Sequence, residues 1–136
     1  MPCPFFEPQR PLVVQPGRAV RLPLIEEYTG ICHAVTPPVE APEELRFRCC
    51  NHGYSHNVCG HFPPHETRSC SRFDVIERSH EMLNVLYVEE RNYAPARWQA
   101  IIYRLGTDAL EPEVTDACVR AQLLAFCHSF LTRFPS

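Results

Sequence analysis

Cys49 and Cys50 are neighbours in the stretch Arg46-Phe47-Arg48-Cys49-Cys50-Asn51-His52-Gly53-Tyr54-Ser55-His56-Asn57-Val58-Cys59. Cys32 lies upstream, Cys70 lies downstream, and five of the seven histidines (His33, His52, His56, His61 and His65) share the region. Thiolates are soft ligands that select zinc, copper(I) and iron–sulfur clusters. Disulfides would need an oxidising compartment, and unconnected core thiols rarely gather in one segment. The density points to a bound metal ion or cluster.

Spacing discriminates between metals. Sixteen residues separate Cys32 from Cys49, eight separate Cys50 from Cys59, ten separate Cys59 from Cys70, and the chain has no Cys-x2-Cys. Two thiolates on one zinc, with bonds of about 2.3 Å, must lie within roughly 4 Å of each other. Neighbouring side chains on an α-helix diverge by about 100°, which makes that approach awkward for Cys49 and Cys50. A cubane presents a separate iron at each corner, so diverging neighbours can bind different irons of one cluster.

A [4Fe–4S] cluster takes four thiolates. The expected set is Cys32, Cys49, Cys50 and Cys59, each near a glycine (Gly30, Gly53 or Gly60) that lets backbone wrap closely around a ligand. Cys70 is the reserve. The alternative is Zn2+, where a histidine could replace one thiol; His61 and His65 have a spacing found in zinc fingers. Cys118 and Cys127 are nine residues apart. At about 100° per residue they fall on opposite faces of a helix and cannot share a metal. Cys118 is expected in the core, and Cys127 beside His128 at a second contact surface or nowhere in particular. Cys3, between two prolines, stays outside the set unless the N-terminal segment folds back.

Other chemistries are poorly supported. All 13 basic residues are arginine, which removes a lysine Schiff base and a phosphate-loop lysine. No Gly-x-Ser-x-Gly, Gly-rich phosphate loop, Cys-x-x-Cys-His or zinc-deaminase signature occurs. A net charge of −3 and a pI near 6.1 give no global reason to expect nucleic acid. Arg91, Arg97 and Arg104 interleave with Tyr93, Trp98 and Tyr103, which reads as a strand pair with rim arginines. No apolar run approaches the roughly 18 residues of a membrane span. The first residues lack the charged and apolar regions of a signal peptide, so a cytoplasmic protein is expected.

The elements that must hold the site follow from pattern. One domain, 1–136, is expected: a Cys/His-rich metal lobe over 1–70, a β-meander over 71–106 and a C-terminal helix over 111–134. In the lobe, residues 19–25 suit an edge strand, and a short helix begins at Pro42, with Glu43 and Glu44 in its first turn, and ends at Asn51 or Gly53. Residues 73–77, 83–88 and 98–103 are rich in β-branched and aromatic side chains and read as strands, with a longer loop at 91–95. Pro112 suits the first helical position, with Glu113 and Asp116 in the first turn. Val114, Cys118, Ala121, Leu124, Ala125, His128 and Leu131 would form the apolar stripe.

The expected fold class is α+β: a small antiparallel three- or four-stranded sheet packed by a C-terminal helix, with an N-terminal Pro/Cys-rich irregular lobe. The expected function is a metal-binding protein without independent catalytic activity. It would carry the cluster as an electron-transfer or accessory subunit to a protein partner or larger redox complex, its potential tuned by hydrogen bonds from Asn51 and Tyr54. The alternatives are a zinc-stabilised interaction module and a thiol-based redox enzyme or sensor, in which Cys49 or Cys50 is reactive and a nearby histidine lowers its pKa.

Overall fold

A computed structural model of the chain describes residues 2–12, 23–53 and 58–135. The fold is α+β: two antiparallel sheets and a C-terminal helix packed on them. The lobe expected to be irregular contains a sheet of its own, made of β1 (Phe6–Pro11), β2 (Tyr28–Cys32) and β3 (Val39–Glu40) in that spatial order. Composition hid it, because prolines punctuate β1. Pro8 and Pro11 are tolerated there since β1 is an edge strand and each lacks only an N–H that need not enter a ladder. Of the strand expected over 19–25, residues 19–22 lie outside the described residues.

Gly30 is not the turn residue that the sequence suggested. It lies inside β2 opposite Pro8, where a Cβ would stand 2.1 Å from the carbonyl oxygen of Glu7 and 2.7 Å from the Phe6 ring. Its missing side chain lets β1 and β2 approach closely and sets Phe6 opposite Cys32.

The second sheet is a meander of β4 (Arg68–Arg78), β5 (Met82–Arg91), β6 (Ala94–Arg104) and β7 (Ala109–Glu111). The three expected strands are present and longer. The long loop at 91–95 is instead a tight turn: Asn92 and Tyr93 both have positive φ, 50° and 65°, as a two-residue hairpin of the primed kind requires. The sheet has four strands, within the three or four expected; the fourth, the short β7, pairs only with Ile102–Arg104. The outer half of β6 is therefore an unpaired edge, exposed from Ala94 to Ala100.

The C-terminal helix, α2 (Ala117–Arg133), begins later than expected. Asp116 is not in its first turn but is its N-cap, and its Oδ1 accepts from the Val119 N–H at 3.0 Å. Pro112 and Glu113 precede the helix. The buried face is also rotated from the expected stripe. It carries Cys118, Val119, Gln122, Leu123, Ala125, Phe126, Cys127 and Ser129, while His128 is exposed. The helix is covered from two sides, by β1 and by β4, so Cys118 and Cys127 are both buried although they face opposite ways. Phe6 and Leu24 from the lobe, Leu83, Val85 and Ile101 from the meander, and Leu123 from α2 share one core.

Candidate metal centre

The adjacent cysteines sit on an unusual backbone. A single α turn, α1 (Glu43–Leu45), continues as a π-helix over Arg46–Asn51, and both Cys49 and Cys50 are buried. A π-helix bonds each N–H to the carbonyl five residues back, so its turn is wider and neighbouring side chains diverge by less than the ~100° of an α-helix. The expected α-helical geometry is thus corrected in the direction that brings the two thiols closer. π segments cost good hydrogen-bond geometry and often mark functional sites. After Asn51 the chain turns at Gly53 (φ +87°), whose N–H donates to the Cys49 carbonyl at 2.9 Å.

Asn51 fastens the π-helix to β2. Its Oδ1 accepts from the Tyr28 N–H at 2.8 Å, and its Nδ2 donates to the carbonyls of Tyr28 at 3.0 Å and Arg46 at 2.9 Å. Both amide hydrogens are therefore used on backbone, so Asn51 is not the donor to sulfur that the sequence suggested. Arg46 adds an ion pair to Glu27 at 3.1 Å, next to Tyr28. These bonds align β2, which ends in Cys32, with the segment carrying Cys49 and Cys50.

Cys50 stands among other thiols. Its own thiol is pushed up to about 12, first by burial and then by the nearby charges of Cys3, Cys32, Cys59 and Cys49, in that order. Cys32 and Cys59, distant in sequence, and the adjacent Cys49 thus all act on Cys50 electrostatically. Cys3, set aside in the sequence reading, exerts the largest thiol influence on Cys50. The signal that could have revealed it is Pro2-Cys3-Pro4, a stiff, apolar start able to fold back into the core. None of the eight cysteines is joined in a disulfide. Cys70 is fully buried in β4 opposite Glu90 and is not among the thiols pressing most strongly on Cys50. Among the described residues no three Cys, His, Asp or Glu side chains converge to the separation of one ion's ligand shell.

The donor chemistry fits a soft metal group. A thiol near pKa 12 is protonated at neutral pH, and a nearby cation would supply the positive charge that lets several buried thiols ionise together. The same value makes metal-free Cys50 a poor nucleophile at neutral pH. The histidines are divided. His33 is bound to Glu7 at 2.8 Å, and His52 and His65 are exposed. His56 and Tyr54 lie outside the described residues. His61, two residues after Cys59, has a buried Nδ1 with no hydrogen-bond partner among the described residues.

A second feature lies on the meander. Arg68, Arg91 and Arg97 with Glu89, Glu113 and Asp116 line a cleft of about 350 Å³. Arg68 pairs with Glu66 and Asp116, and Arg91 with Glu89. Trp98 is 71% exposed on the β6 edge, whereas Tyr103 is buried with its hydroxyl on Asp108 at 2.6 Å. The arginine–aromatic interleaving is thus broken up by ion pairs and burial, in line with rim arginines on a strand pair. No helix among the described residues is long and apolar enough to cross a membrane.

No protein-family model matches the chain, and neither a curated protein nor a solved structure matches it.

Proposed function

We propose that the protein binds a [4Fe–4S] cluster through thiols of the lobe, drawn from Cys32, Cys49, Cys50 and Cys59, and serves as an electron-transfer or accessory subunit to a protein partner. What supports this reading is the burial of Cys32, Cys49 and Cys50 in the lobe, with Cys32 and Cys59 among the thiols that push the Cys50 thiol up. Such a cluster would supply one-electron redox chemistry at a potential set by burial and by hydrogen bonds to its sulfurs. The chain's own part is to hold the thiols on a braced frame, with Asn51 and Arg46 tying the π-helix to β2. The cytoplasm, where thiols stay reduced, is the compartment this chemistry suits. Anaerobic purification tests the reading: the protein should be brown, absorb near about 400 nm and bleach with dithionite. A colourless preparation would count against it.

A second reading is favoured by a specific observation. The π-helix lessens the divergence of Cys49 and Cys50, and the orphaned Nδ1 of His61 lies close in sequence to Cys59. Both suit a zinc ion held by cysteines and a histidine, in a module that binds partners without turnover. One equivalent of zinc, and unfolding by a chelator, would establish it over the cluster.

A further inference from the structure

β7 covers β6 only at Ile102–Arg104, so from Ala94 to Ile101 the strand has β5 on one side and no strand on the other among the described residues. An open edge is a row of unpaired N–H and C=O groups, a template for another chain, and folds usually blunt it with proline, a bulge or lysine. The chain blunts its other edges. β1 carries Pro8 and Pro11, β3 is two residues long, and the Ser71 N–H of β4 is taken by the Pro2 carbonyl at 3.1 Å. β6 has Pro95 near its start and a bulge at Ala96, where the register steps from Glu90–Pro95 to Glu89–Arg97. Past the bulge, Arg97, Trp98, Gln99 and Ala100 form a regular ladder with β5, all exposed, with no lysine to guard them.

The two faces of this stretch differ. Arg97 and Gln99 share a face with the buried Ile101, and all three line the cleft of about 350 Å³. In that cleft Glu89 pairs with Arg91, Asp116 with Arg68, and Glu113 with Arg120 at 3.0 Å. Arg97 lines the same cleft with no ion pair among the described residues. Trp98 stands on the opposite face, open to solvent.

A strand laid on this edge would set one side chain beside Arg97 and the next on the Trp98 ring, because side chains alternate between faces. The guanidinium calls for a carboxylate at the first position, and the indole for an apolar group at the second. A second copy of the chain fits this edge badly. Antiparallel self-pairing centred on Trp98 sets the copy's Ala94 at Ile102, where Glu111 of β7 already lies. Centred on Arg97, it opposes two guanidinium groups. Centred earlier, it draws on Pro95 and the bulge.

We propose that the β6 edge from Arg97 to Ile101 docks an extended segment of a partner protein by strand addition, and that this segment carries an acidic residue next to an apolar one. Main-chain bonds to β6 supply affinity, and Arg97 and Trp98 supply selection. The surface lies on the meander and stands without the metal reading.

The chain's single tryptophan makes the edge observable. The probe is a short acetylated peptide of alternating threonine and valine with one central threonine replaced by glutamate, compared with its lysine counterpart. Added to the whole chain, the glutamate peptide should shift Trp98 emission to the blue and bind about tenfold more tightly than the lysine peptide. Arg97→Glu should reverse that order with an unchanged circular dichroism spectrum. Hydrogen exchange at the amides of residues 97–101 should slow in the complex. No emission shift with either peptide up to about 1 mM, equal binding of the two, or exchange unchanged at those amides would overturn the proposal. A wild-type chain that sediments as a dimer with Trp98 already shielded would also overturn it, giving the edge to a second copy.

Discussion

Asn51 holds Tyr28 by both of its backbone polar groups, accepting from the N–H at 2.8 Å and donating to the carbonyl at 3.0 Å. A side-chain amide here does the work of a neighbouring strand, and it does so beside Cys49 and Cys50. The pair is further tied to α2, because the Tyr28 hydroxyl donates to the Ala125 carbonyl at 3.0 Å and is bonded to Ser129 Oγ. The site's geometry therefore depends on buried polar contacts as much as on its cysteines.

Asn51→Ala removes two buried hydrogen bonds and one part-buried one, and strands their partners. At about 1 kcal/mol for each bond, with more for an orphaned group, the loss of stability should be about 3 kcal/mol. Urea unfolding of the variant checks this. A change below about 1 kcal/mol would mean that water replaces the amide and that the clamp does not brace the lobe.

Gly30→Ala should be among the most harmful single changes in the lobe. The added Cβ would meet the Glu7 carbonyl oxygen at 2.1 Å, a backbone atom that cannot swing aside. β1 must then part from β2, at a cost of about 3 kcal/mol or more. Metal content should fall with stability, because the β1 register sets the position of β2, which ends in Cys32. Thermal melting and metal analysis of the variant read both effects.

The metal-free protein should weaken in alkali. Burial pushes the Cys127 and Cys118 thiols from 9.0 up to about 12. Between these values the folded chain holds protons that the unfolded chain releases, so stability is full below pH about 9 and falls as pH rises towards about 12. Denaturant midpoints measured with a reductant from pH about 7.5 to about 10.5 should decline, and Cys127→Ala should decline less steeply. A flat profile in the parent chain would mean that these thiols ionise as freely folded as unfolded.

Legibility in the sequence followed the range of the forces involved. The meander and α2 were readable because alternation and helical spacing are local patterns, and β4, β5 and β6 each contain the strand expected for them. The start of α2 was misplaced because the Pro112 signal competed with the Asp116 cap, and the side-chain bond to Val119 won. The lobe's sheet was hidden because β1 owes its place to Gly30 on another strand and to α2, not to its own proline-rich composition. The influence of Cys32, Cys49 and Cys59 on Cys50 could be suspected from the density of cysteines in this segment. Cys3 lies outside that segment, and its place depends on Gln122, 119 residues away, as well as on its flanking prolines.

The central claim is that the lobe's thiols bind a metal cluster, and the most direct measurement is iron and acid-labile sulfide per chain in protein purified without oxygen. The account predicts about four of each per chain, with absorbance that dithionite bleaches. A folded chain with neither iron nor sulfide, even after anaerobic reconstitution, would contradict it.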